Sequence, residues 1–100
     1  MPMFHLVLSQ TGPEWQPSKP LDEQSGWSEH AVFMDNLVEQ GFIVLGGPIP
    51  GRRVVHAVEA ESEEAVRSML ARDPWSGTHL VVESIDPWTI RLDGRSAELG

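Results

Sequence analysis

Apolar and polar positions along the chain fall into two rhythms, and their succession predicts the architecture. Met3 to Ser9 carries Phe4, Leu6, Val7 and Leu8 in a short β-rich run that stops at Gly12-Pro13, the pattern of a strand. Residues 10–25 hold Gly12, Pro13, Pro17 and Pro20 among polar groups and predict a long loop, the kind often functional or mobile. From about Trp27 to Gln40 the rhythm changes. Trp27, His30, Met34, Leu37 and Val38 recur at helical spacing, with Ser25 or Ser28 as N-cap and Gly41 suited to the C′ position.

Phe42 to Leu45 predicts a second strand, broken by Gly46-Gly47-Pro48. Arg53 to Ala60 predicts a third, with Val54, His56 and Val58 on one face and Val55, Ala57 and Glu59 on the other. Ser62 caps a second helix whose apolar face is Ala65, Val66, Met69 and Leu70 and which Pro74 ends. Leu80 to Ile85 predicts the fourth strand, with Trp88-Thr89-Ile90 as an edge extension after Pro87. The order β-α-β-β-α-β is that of the α+β ferredoxin-like split βαβ fold: a four-stranded antiparallel sheet with two helices on one face. The domain is expected over residues 1–92, with 93–100 as a flexible polar tail. Two helices cover one sheet face only. Either parity of the first two strands leaves apolar groups on the other, so a second copy is expected to pack there as a homodimer.

Composition narrows the partners. The 100 residues suit a single domain, and 40% apolar residues suffice for one core. The net charge of -8 opposes binding to nucleic-acid phosphates or anionic lipid. The longest clean apolar runs, such as Phe42-Ile43-Val44-Leu45, are four residues, far short of a membrane span, and the first five residues lack the features of a secretory signal. A cytoplasmic location is the default expectation. The absence of cysteine excludes disulfides, zinc–thiolate sites and cysteine nucleophiles.

Candidate chemistry rests on few residues. His30 lies on the apolar stripe of the first helix near Trp27, Phe33 and Met34. The pattern by itself fits a core histidine with one hydrogen bond better than a general acid/base. Asp73, before Pro74-Trp75, fits a helix-terminating turn. Its charge meets the unfavourable end of the helix dipole and invites a partner, for which a histidine is the natural choice. Asp35 lies about 140° around the helix from His30 and projects elsewhere. Gly46-Gly47-Pro48 lacks the following helix and Lys-Ser/Thr of a phosphate loop. It fits a strand-ending turn, although such a backbone can also approach a ligand closely. His5, His30, His56 and His79 sit on separate elements without metal-ligand spacing, and no metal is expected. His5 and His56 are candidates for neighbours across the sheet.

Taken together, these segments resemble the YCII-related family. The matching pieces are Phe4-His5-Leu6-Val7-Leu8, then Trp27-Ser28-Glu29-His30-Ala31-Val32-Phe33-Met34, and Gly41-Phe42-Ile43-Val44-Leu45-Gly46-Gly47-Pro48. Val58-Glu59-Ala60-Glu61-Ser62-Glu63-Glu64-Ala65 follows, then Arg72-Asp73-Pro74-Trp75, with Ile85-Asp86-Pro87-Trp88 resembling the closing strand. The resemblance implies ferredoxin-like domains that dimerise into an α+β barrel. It also implies a helix histidine coupled to an aspartate before proline and an aromatic residue, positions that match His30 and Asp73. The loop before the first helix is longer and richer in proline than in the shortest members. Relatives of this fold include a dehydrochlorinase acting on a chlorinated hydroxyhydroquinone and muconolactone isomerases, which implies proton transfer on a small oxygenated ring. On that reading His30 and Asp73 are catalytic, Trp27, Met34, Gly46, Gly47, Pro48 and Trp75 bind a small acidic or phenolic ligand, and no cofactor is involved. The alternative is a non-catalytic module that binds a small ligand or a protein, with the histidine–aspartate pair structural.

Overall fold

The computed structural model describes residues 1–97. Four strands, β1 (Met3–Ser9), β2 (Ile43–Ile49), β3 (Arg53–Glu59) and β4 (Val81–Pro87), form one antiparallel sheet in the order β2-β3-β1-β4. Helix α1 (Trp27–Glu39) joins β1 to β2, and α2 (Glu63–Leu70) joins β3 to β4. This is the ferredoxin-like split βαβ arrangement. The two central strands come from opposite halves of the chain, so neither half completes the sheet alone.

Register decides which residues meet the helices. Phe4, Leu6 and Leu8 of β1 share a core with Leu37 of α1, Val66 and Leu70 of α2, Val58 of β3 and Ile85 of β4. Because Leu6 pairs with His56 and Phe4 with Val58, His56 lies on this helix-covered face. His5 pairs with Ala57 and Asp86 on the opposite face. The two histidines are therefore not neighbours across the sheet: a one-residue offset in pairing places them on opposite sides.

Helix ends follow local chemistry, with one correction. Ser62 caps α2 by accepting from the Ala65 N–H at 3.1 Å. At the end of α1, Gly41 has φ 80°. The Gly41 N–H bonds the Val38 carbonyl and the Phe42 N–H bonds the Leu37 carbonyl, both at 3.0 Å, a Schellman closure that turns the chain into β2. The α1 N-cap is Gly26, with φ 73°, and neither Ser25 nor Ser28 caps the helix. Ser25 is committed elsewhere: its hydroxyl pairs with His79 Nε2 at 3.0 Å and its carbonyl accepts from Trp75 Nε1 at 2.9 Å.

Several strand boundaries also differ from expectation, β2 and β4 the most, with β4 running from Val81 through to Pro87. β2 does not stop at Leu45 but runs through Gly46, Gly47 and Pro48 to Ile49, paired with His56, Val55, Val54 and Arg53. It is an edge strand, so only one side of it needs ladder hydrogen bonds and a proline is tolerated. The reversal falls instead at Gly51 and Arg52, whose φ values of 92° and 59° suit a tight hairpin. β4 begins at Val81, and Trp88-Thr89-Ile90 is not strand, although the Trp88 N–H still bonds the Met3 carbonyl at 2.9 Å. Gly94–Ala97 forms a short helix, α3. The remainder of the expected tail, 98–100, lies outside the described residues. Among the described residues no helix is long and apolar enough to cross a membrane.

The Pro-rich loop is held in place. Gln24, 3% exposed, donates to the Gln16 and Lys19 carbonyls at 2.7 and 2.9 Å and accepts from the Gln16 N–H at 2.8 Å. Gly12 and Glu14 donate to the His79 and Thr78 carbonyls. A Cβ on Gly12 would lie 2.4 Å from the Thr78 oxygen, so that approach requires glycine. Gln24→Ala strands several partly buried backbone groups, and a loss of about 1–3 kcal/mol is expected. Amide hydrogen exchange should accelerate across residues 14–24 while the β1 and β3 amides stay protected. Unchanged exchange in the loop would show that its order does not depend on Gln24.

Candidate functional site

The first turn of α1 and the turn after α2 meet above one end of the sheet. Positions 27, 30 and 34 of α1 lie on neighbouring turns of one helix face, which brings Trp27, His30 and Met34 together. After α2, the chain bends at Arg72-Asp73-Pro74. The Asp73 carboxylate accepts from its own downstream Trp75 N–H at 2.9 Å, an Asx-type turn that fixes the carboxylate direction. The same carboxylate faces His30. His30 Nδ1 lies 2.9 Å from Asp73 Oδ1 and 3.0 Å from Oδ2, and both residues are 6% exposed. With an ionised carboxylate as partner, Nδ1 carries the proton and donates it. Nε2 is left without a partner, and it is not among the fully enclosed polar atoms.

Trp75 is the wall behind this pair. It is 1% exposed, and the His30 ring stacks on its indole at a centroid distance of 4.0 Å and an angle of 9°. His79 also stacks on it at 4.6 Å, and Trp15 meets it edge-on at 5.9 Å. The imidazole of His30 is thus locked by a hydrogen bond at one nitrogen and by a flat aromatic surface. Trp75 itself supports His30 from behind and is not among the residues that line the cleft in front.

That cleft has a volume of about 570 Å³ and opens between α1 and the β2 edge of the sheet. Trp27, His30 and Met34 line one side and Gly46, Gly47 and Pro48 the other, with Val38, Ile43 and Val54 adding apolar surface. Of the residues singled out from sequence, His30, Trp27, Met34, Gly46, Gly47 and Pro48 converge on this cleft, whereas Asp73 and Trp75 stand behind it. Asp35, which the helix geometry had been expected to direct away from His30, also lines it, and so does a second imidazole, His56. Its alternation pattern placed it on a face with Val54 and Val58. Nothing in the sequence pattern said that α1 would bring His30 over that face. No group of three or more His, Asp or Glu positioned to hold a metal occurs among the described residues.

His56 is packed closely. A Cβ on Gly46 would lie 2.4 Å from His56 Cδ2, so glycine at this position is what lets the ring lie against β2. Burial pushes the His56 pKa down from 6.5 to about 4, aided by repulsion from the charge His30 carries when protonated. Above pH 6.5 the ring is neutral in folded and unfolded chains alike. As pH falls toward 4, the unfolded chain takes up a proton that the folded chain refuses, so stability present above 6.5 is progressively lost. The loss amounts to about 3 kcal/mol in the limit. Thermal melts at neutral pH and at about pH 4.5 should show this decline in the wild type and a shallower one in His56→Phe. Equal declines in both would remove His56 as its source. Gly46→Ala should lower the melting temperature by displacing the same ring. The chain matches no protein-family model and no curated protein.

Proposed function

We propose that the chain is a small-molecule enzyme of the YCII-related type that moves a proton on a small oxygenated substrate, with lyase or isomerase chemistry and no organic cofactor. One observation carries this reading: Asp73 occupies His30 Nδ1, while Nε2 remains unpartnered on an apolar cleft of about 570 Å³. A carboxylate that fixes the tautomer makes Nε2 the basic nitrogen. It also balances the charge that develops when the ring accepts a proton. The rigid indole of Trp75 limits ring rotation, so the base is already oriented. Trp27, Met34 and Pro48 offer flat apolar contact to a ring.

A second reading, a binding module with a structural pair, draws support from the other duty of Asp73, which also closes the turn before Trp75. Substitution separates the two. If the pair is catalytic, His30→Ala abolishes turnover in a screen of phenolic and carbonyl acids while the protein stays folded. Asp73→Asn then lowers turnover by orders of magnitude, through loss of the tautomer-fixing carboxylate. If the pair is structural, both variants lower the melting temperature and leave ligand binding unchanged.

We also propose a homodimer through the sheet face opposite the helices. Support comes from Leu45, Ile49 and Val81, which lie on that face by register and are 63%, 39% and 41% exposed. Light scattering at micromolar concentration is expected to give twice the chain mass. Leu45→Glu should shift the protein toward monomer, and a wild type that stays monomeric would overturn the dimer.

A further inference from the structure

We infer that His56 is a second ligand-contacting group of the cleft. Its Nε2–H is placed to hold the oxygen of a small carbonyl compound while His30 Nε2 takes a proton from the adjacent carbon. This deepens the proposed function and rests on it.

Three observations lead here. His56 is 95% buried by its 5% exposure, yet it lines the same cleft as His30. Its Nδ1 is fully enclosed and has no hydrogen-bond partner. Nε2 also has no partner but is not fully enclosed, so it is the nitrogen that faces the cleft. Third, Gly46 removes the side chain that would occupy the ring's position, leaving the imidazole close against the strand that forms the cleft wall.

The tautomer follows from the enclosure. A neutral imidazole has one N–H and one lone pair. An enclosed N–H without an acceptor is rarer and more costly than an enclosed lone pair, so the proton belongs on Nε2. A ring that stays neutral when His30 is charged can donate a hydrogen bond without competing for the substrate's proton. Neutral histidine acts as an electrophile toward carbonyl oxygen in other enzymes on the same principle.

The two imidazoles are therefore complementary. His30 Nε2 is an acceptor because its Nδ1 already donates to Asp73, and His56 Nε2 is a donor. The substrate class that uses both carries an acidic C–H beside a carbonyl. In the step, the C–H bond breaks and its proton goes to His30 Nε2. The bonding pair forms a carbon–carbon double bond, and the carbonyl π pair moves to oxygen. The oxyanion accepts a hydrogen bond from His56 Nε2–H, which keeps its proton. Return of the proton from His30 to a different carbon completes an isomerisation. Departure of a neighbouring leaving group with its electron pair completes an elimination.

The test uses 4-nitrophenol, whose phenolate oxygen imitates an enolate oxygen, with full-length protein labelled with nitrogen-15 at histidine. Binding is expected to shift the His56 Nε2 nitrogen and its proton, and His30 resonances should move with formation of the phenolate band. His56→Phe should weaken binding about 10- to 100-fold, as expected for losing a hydrogen bond to a charged oxygen. His56→Gln, which keeps an N–H donor, should recover part of it. No shift at His56, or equal affinity in the wild type and His56→Phe, overturns the inference. The wild-type shifts decide the matter if His56→Phe does not fold. Shifts at His56 with no change in phenolate formation in His30→Ala would instead sink the proposed role of His30 and leave His56 as an oxygen-binding group.

Discussion

Complete burial of the Trp75 indole is the constraint around which the site is arranged. A buried indole N–H needs an acceptor, and the Ser25 carbonyl supplies it at 2.9 Å. That bond draws the chain just before α1 against the turn after α2. It accounts for Gly26 at the α1 N-cap, since a Cβ there would lie 3.2 Å from Trp75 Nε1 on a backbone already at φ 73°. The Trp75 carbonyl accepts from Thr78, His79 and Leu80, so the same residue closes the turn that leads into β4. One residue, through its ring and its backbone carbonyl, thus ties the segment before α1 to the turn that leads from α2 into β4.

The histidine–aspartate pair depends on this arrangement. Asp73 is oriented by the Trp75 N–H and His30 by the Trp75 ring, so the hydrogen bond between them joins groups already positioned. Such pre-orientation reduces the entropy lost when a base meets its substrate. On the opposite side of His30 the structure is less filled. β2 is an edge strand with two consecutive glycines, and α1 overhangs it without closing the gap. The cleft exists because the core is full behind His30 and open in front of it.

The polar groups of the site differ in how they are satisfied. Asp73 has two donors directed at its carboxylate, and Gln24 has partners on both sides of its amide. His56 alone has an enclosed polar side-chain atom without a partner among the described residues. Enclosed and unpaired polar atoms are uncommon in folded proteins because each carries its desolvation cost without return.

Element order was legible in the chain because strand and helix periods differ and each run is bounded by Gly, Pro or a capping Ser. Ser62 and Gly41 act as their residue types imply, because the first turn of α2 and the last turn of α1 need only local partners. Gly46-Gly47-Pro48 misled for the opposite reason: local composition says turn, but pairing with β3 on one side keeps it extended. Ser25 failed as a cap because a distant indole and histidine claim its polar atoms. His30 and Asp73 were suggested by a family likeness and by the unfavourable dipole position of Asp73. Their distance, and the presence of His56 in the same cleft, depend on how α1 crosses the sheet. The periodic elements, and the helix ends at Ser62 and Gly41, follow from the chain alone, since these depend on neighbours within a few residues. Which imidazoles share a cavity follows instead from strand register and helix crossing, and these are set by packing between residues far apart in the chain.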